Sequence, residues 1–188
     1  FSALLGFILF QEFPDIWVTD SALDDPRKVT DANPQQSEYR WGSAEIVEWT
    51  SSDGAPLQGI LYKPDGFDPT EKYPMMVYFY ERSSDGLHQY FVPAAGSSSI
   101  NRSFYVSRGY LVFVPDIPYK IGYPGESSVD AVVPGVLGLV DRGFVNRDKI
   151  GVQGHSWGGY QISYMVTRTD LFAAAEAGAP VVNMVSAY

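Results

Sequence analysis

Gly154-His155-Ser156-Trp157-Gly158-Gly159-Tyr160 is the stretch of this chain whose residue types and spacing could carry out covalent chemistry. A serine with glycine two positions to either side follows the strand-like run 149–153 and precedes the helix-like run 158–168. That is the context of a nucleophile elbow, in which a sharp, strained turn lifts the hydroxyl above the sheet. The glycines remove Cβ atoms that would collide with the neighbouring strand and helix. The helix that follows directs its unpaired N–H groups and the positive end of its dipole at the reacting centre. Ser156 is therefore the candidate nucleophile, and Gly154, Gly158 and Gly159 are the candidate elbow glycines. The competing reading is a glycine-rich turn that happens to contain serine. The strand before it, the glycine pair opening a helix, and the β-like segment 172–182 after it favour the elbow.

Composition bounds the other chemistries. The chain has 188 residues, 45% of them hydrophobic and 15% aromatic, enough for a sizeable core and unlike a disordered segment. Thirteen Lys and Arg stand against 22 Asp and Glu, a formal net charge of −9, which argues against nucleic acid as a partner because phosphate binding needs a basic face. With no cysteine, thiolate chemistry and disulfides are excluded, and two histidines make a histidine-rich metal site a poor reading. No metal and no cofactor are expected. The apolar run 1–10 (FSALLGFILF) is shorter than the roughly 20 residues that span a bilayer, and it lacks the basic start of a signal peptide. It is read as a buried strand or as the start of a segment cut from a longer chain. No membrane partner is evident, and no targeting segment assigns a compartment.

The elements that must position Ser156 follow from pattern. Residues 13–20 and 27–30 read as two short strands joined by turn chemistry, too few to bury a face alone. Residues 44–49 and 57–62 flank Ser51-Ser52-Asp53-Gly54, a hairpin signal. Residues 75–80 and 110–114 are continuous apolar runs of the kind buried on both faces of a sheet. A helix is predicted over 101–108, a loop over 116–128, a helix over 129–140 weakened by Pro134, Gly135 and Gly138, and a last strand from Phe172. A hairpin followed by alternating strands and helices predicts an α/β fold with a mostly parallel sheet and helices on both faces. Open sheets of this kind place their sites at the carboxyl ends of the strands.

These residues resemble the prolyl oligopeptidase family of serine peptidases, in its dipeptidyl-peptidase and acylaminoacyl-peptidase branches. Four stretches carry the likeness: 13–33, with Val29-Thr30 and Asn33; 45–64, with Asp53-Gly54 at the hairpin tip; 73–80; and 145–160, the most specific. The resemblance implies a β-propeller joined to an α/β-hydrolase catalytic domain. Residues 1–33 would be the end of the propeller and a linker, and residues 34–188 the N-terminal portion of the catalytic domain. It also implies a peptide substrate, an acyl-enzyme on Ser156, and an oxyanion hole formed by the Trp157 backbone N–H and the Tyr80 hydroxyl. Tyr78 and Tyr80 share a strand face, and Tyr80 is preferred because it ends the run nearest the catalytic edge. Trp157, Tyr160 and His155 are candidates for lining the substrate pocket. Where the family continues after this tyrosine with glycines and a proline, this chain has Glu81-Arg82-Ser83-Ser84.

A serine hydroxyl needs a base, and in this fold the order along the chain is Ser, then Asp or Glu, then His. No histidine follows Ser156. His155 is its immediate neighbour in a tight turn, and His88 lies upstream and reads as a surface residue. Asp170, at a helix end, reads as turn chemistry, and Glu176, in a strand-like segment, is a weak candidate for any role. The expectation is truncation: the remaining propeller, the triad acid and base and the second half of the sheet would be partners from the same chain, with oligomerisation left open. Two other readings stand beside it: an esterase-like α/β hydrolase, and a non-catalytic binding module that keeps the elbow as structure.

Overall fold

The computed structural model describes residues 2–94, 96 and 98–186. Two sheets are formed, of three and six strands. The first is antiparallel and is built from β1 (Ser2–Leu9), β2 (Glu12–Asp20) and β3 (Arg27–Lys28), in that order. Within the run 1–10, residues 2–9 form a strand as expected; among the described residues β1 lies at an edge of its sheet, and Leu4 is 75% exposed. Phe10, just past the strand, is buried and packs on the ring of Tyr62 at 4.7 Å between centroids. Asp15 ties β2 to the segment that leaves the sheet. Its carboxylate accepts hydrogen bonds from the Thr30 hydroxyl (2.6 Å) and the Ala32 N–H (2.9 Å), and it pairs with Lys28 at 2.5 Å.

The second sheet begins with the hairpin β4 (Ser43–Thr50) and β5 (Pro56–Lys63) and continues with β6 (Tyr73–Tyr78), β7 (Leu111–Pro115), β8 (Val145–His155) and β9 (Ala174–Gly178). The strand order is β4-β5-β7-β6-β8-β9. β4 and β5 pair antiparallel, as do β5 and β7, whereas β6 pairs parallel with both β7 and β8, and β8 with β9. The expected α/β layout, mostly parallel after an opening hairpin, is what forms. All of β7 is buried, as its uninterrupted apolar run requires.

Two helices, α2 (Pro124–Asp141) and α3 (Trp157–Met165), pack on one face over Phe79, Phe113, Val132, Val136 and Ile162; α1 (Arg102–Val106) covers the other face with Ile60, Val112 and Val114. α2 begins earlier than its sequence suggests, because Pro124 occupies the first turn, where a missing N–H costs nothing. Pro134 sits inside it and cannot donate to the carbonyl four residues back. That carbonyl, on Asp130, accepts from the Ser52 N–H instead (3.0 Å), and the next, on Ala131, accepts from the Trp49 indole (2.9 Å). The proline therefore frees one helix acceptor, and the hairpin docks on it and on the neighbouring carbonyl. Gly135 allows the contact, since a Cβ there would lie 2.8 Å from the Trp49 ring.

Candidate active site

Ser156 lies between the last residue of β8 and the first of α3, at φ 57° and ψ −111°. A positive φ is strained for a residue with a Cβ, and here it turns the chain from strand into helix within one residue. The Ser156 side chain makes no capping bond to α3, so its hydroxyl is not consumed by the helix it opens. The turn is held through the backbone: Ser156 N–H donates to the Gly178 carbonyl at the end of β9 (2.8 Å), and its own carbonyl accepts from Tyr160 N–H (3.0 Å).

The three glycines stand where side chains cannot fit. A Cβ on Gly154 would lie 2.8 Å from the Gly158 backbone, one on Gly158 would lie 2.7 Å from the Phe79 carbonyl oxygen, and one on Gly159 would lie 2.6 Å from the Gly178 oxygen that holds Ser156. Such contacts are below any tolerated carbon separation, so the strand–turn–helix can close this tightly only without them. The approach at Gly158 also brings the end of β6 against the first turn of α3, with the Tyr80 ring alongside.

Tyr80 lies two residues beyond the end of β6 and is 43% exposed, while Phe79 before it is fully buried. Tyr78 packs into the opposite face under the Arg102 guanidinium, 5.4 Å from its ring centroid. Trp157 is the first residue of α3, so its N–H is among those that the helix leaves without an internal partner. Its indole stacks on Tyr160 at 5.0 Å and meets Tyr119 edge-on at 6.3 Å. Burial raises the Tyr160 phenol above its ordinary pKa, with Glu126 and Tyr164 adding to the shift. The His155 ring lies against Gly178, where a Cβ would meet its Nδ1 at 3.0 Å. Among the described residues, no hydrogen bond joins His88, Asp170 or Glu176 to the Ser156 hydroxyl, and the Glu176 carboxylate lies beside Gly178, as the His155 ring does.

Three residues that no sequence pattern marks organise the loop after Tyr80. Asp116 caps the carboxyl end of β7 and is 8% exposed. Its carboxylate accepts from the N–H groups of Ser83 (2.7 Å) and Ser84 (2.9 Å) and from the Ser84 hydroxyl (2.5 Å). Ile117 N–H donates to the Glu81 carbonyl at 3.2 Å. The Tyr119 hydroxyl donates to the Tyr80 carbonyl and accepts from Gln161 Nε2, which also reaches the Tyr80 carbonyl at 3.3 Å. Burial, first of all, pushes the Tyr119 phenol up to about 12, so it remains a proton donor at neutral pH. Segment 116–119 thus fastens residues 80–84 directly to the sheet.

The second half of the chain, residues 97–188, matches the prolyl oligopeptidase family. It is a prolyl oligopeptidase family segment. Human (Homo sapiens) dipeptidyl peptidase 8 is 31% identical over 153 residues, covering 73% of this chain and 16% of that protein. The chain therefore spans about a sixth of the length of such relatives. Among solved structures, the Pyrococcus horikoshii acylaminoacyl peptidase superposes with a TM-score of 0.73 at 17% identity, over 100% of this chain and 31% of that one. Porphyromonas gingivalis dipeptidyl peptidase 4 does so with a TM-score of 0.66 at 21% identity, over 97% and 29%. These likenesses establish the fold: the first part of an α/β-hydrolase sheet, preceded by a remnant of a propeller blade. Within that family fold, Ser156 occupies the turn that follows the strand next to β6.

Proposed function

We propose that this chain is the nucleophile-bearing part of a serine peptidase that hydrolyses peptide bonds of oligopeptides through an acyl-enzyme on Ser156. In this reading the Trp157 N–H and the Tyr80 hydroxyl are the two oxyanion donors, and Trp157, Tyr160 and His155 line the substrate pocket. Residues 1–33 are the end of a β-propeller and its linker, and residues 34–188 are the N-terminal portion of the catalytic domain. The observation that carries the proposal is the strained Ser156, at φ 57° between β8 and α3, with its hydroxyl unused by the helix. Backbone strain of this kind clusters at catalytic sites, and a binding module would have little reason to keep it.

The base that a serine nucleophile needs does not follow Ser156 in the sequence, and His88 lies upstream of it. The triad Asp and His are therefore assigned to a further segment of the same protein, and these 188 residues alone are inactive. Peptide hydrolysis by a longer chain that contains the remaining sheet and propeller tests the assignment. Ser156→Ala is expected to reduce kcat/KM by about 10⁵-fold or more, the scale on which removal of a triad serine acts. Hydrolysis unchanged by that substitution would remove Ser156 from the mechanism.

A further inference from the structure

Tyr80 presents a positional problem. β6 ends at Tyr78, so no strand ladder holds the residue whose hydroxyl is assigned to the oxyanion. Yet an oxyanion donor has to be placed to within a few tenths of an ångström before the reaction begins, because its contribution depends on not having to reorganise. The exposed side of the Tyr80 ring offers little packing to do this.

What holds Tyr80 is its carbonyl. The oxygen accepts the Tyr119 hydroxyl and the Gln161 carboxamide, and those two groups are bonded to each other. Gln161 is fully buried in α3, five residues after Ser156. Tyr119 rests edge-on against Trp157, the residue whose N–H is the other assigned donor. The triangle of Tyr80, Tyr119 and Gln161 therefore connects the Tyr80 backbone to the same helix that starts at the nucleophile. The two donors come from different elements, the end of β6 and α3, and this triangle links them through polar contacts in addition to the close passage of Phe79 over Gly158.

We propose that Tyr119 and Gln161 are positioning residues that fix Tyr80 relative to the Trp157 N–H; this rests on the reading of Ser156 and Tyr80 given above. Neither residue touches the reacting atoms. Removing the Tyr119 hydroxyl leaves its ring against Trp157 but releases the Tyr80 carbonyl, so the oxyanion donor is present but loosely aimed. A donor misplaced by about 1 Å costs up to about a hundredfold, and a partial release about tenfold, in kcat rather than in KM.

The test is a double-mutant cycle in the longer, active chain, with kcat and KM measured for one peptide substrate and thermal melting run alongside. Tyr119→Phe is expected to lower kcat about tenfold with KM within about twofold of wild type, and Gln161→Met to give the same split. In a Tyr80→Phe background, Tyr119→Phe is expected to have no further effect on kcat, because the hydroxyl it positions is gone. A multiplicative loss in that background, or an unchanged kcat for Tyr119→Phe, overturns the positioning role while leaving Ser156 and Tyr80 in place. A wild-type kcat for Tyr80→Phe overturns the oxyanion assignment and the positioning role with it. Loss of activity that tracks a fall in melting temperature equally in both backgrounds makes the triangle purely structural and also overturns the proposal.

Discussion

At the scale of the residue, Ser156 shows how a strained backbone position is held in place. Its φ of 57° is unfavourable for any side chain, and Ser156 is kept there by the Gly178 carbonyl and by glycines that permit close approach. At an ordinary position glycine is less stable than alanine by about 0.5–1 kcal/mol, but at positive φ the alanine carries the strain. Ser156→Gly is therefore expected to melt no lower than Ser156→Ala, with both inactive; a Gly variant melting several degrees below the Ala variant would mean the turn is not strained. The turn at Ser156 and its glycines was legible because its close contacts dictate a spacing, and spacing survives in the sequence. Asp116, Tyr119 and Gln161 were not. Each is a single polar residue whose partners lie 32 to 81 positions away, so nothing local marks it. The substitution of Glu81-Arg82-Ser83-Ser84 for a glycine-rich loop was visible, but its consequence was not: the loop is fastened from β7 by Asp116 and the residues after it.

At the scale of the element, boundaries were harder to read than identities. The run around Pro134 and Gly135 looked like a damaged helix, whereas α2 runs from Pro124 to Asp141 and uses both residues to receive the hairpin. A sequence shows the helical cost of proline and glycine but not the tertiary contact that offsets it. The blade remnant offers a titratable test of how such a contact is built. The Lys28 ammonium, then the Thr30 hydroxyl, hold the Asp15 carboxyl below its ordinary value of 3.8, against the opposing effect of burial. A carboxyl with a depressed folded-state pKa contributes stability above its unfolded pKa and loses it as pH falls through the folded value. Amide hydrogens of Ile16 and Ala32, both bonded within this cluster, are thus expected to lose exchange protection below about pH 4, and Asp15→Asn to remove that pH dependence. Protection that is flat from about pH 6 to about pH 3 would show that the ion pair does not anchor the segment.

At the scale of the whole molecule, the sheet order puts β9 at an edge with its outer side unpaired among the described residues, beside the strand that carries the nucleophile. Strand edges left open recruit other strands. The 188-residue chain alone is therefore expected to self-associate in sedimentation at micromolar concentration, and a monodisperse, cooperatively melting monomer would contradict this. The fold class was readable from the order of strands and helices, since this is imposed by patterning along the chain, and the family from the resemblance carried by 13–33, 45–64, 73–80 and 145–160. The base and acid that the proposed reaction needs were not, because nothing in the pattern of these residues marks them. Whether the strained serine at its centre is a working nucleophile can be asked most directly with a fluorophosphonate probe, on a longer chain that includes the remaining sheet and propeller. The expected result is one covalent adduct, located by peptide mapping at Ser156 and abolished by Ser156→Ala. A correctly folded protein that takes no label, or takes it at another serine, would contradict the assignment.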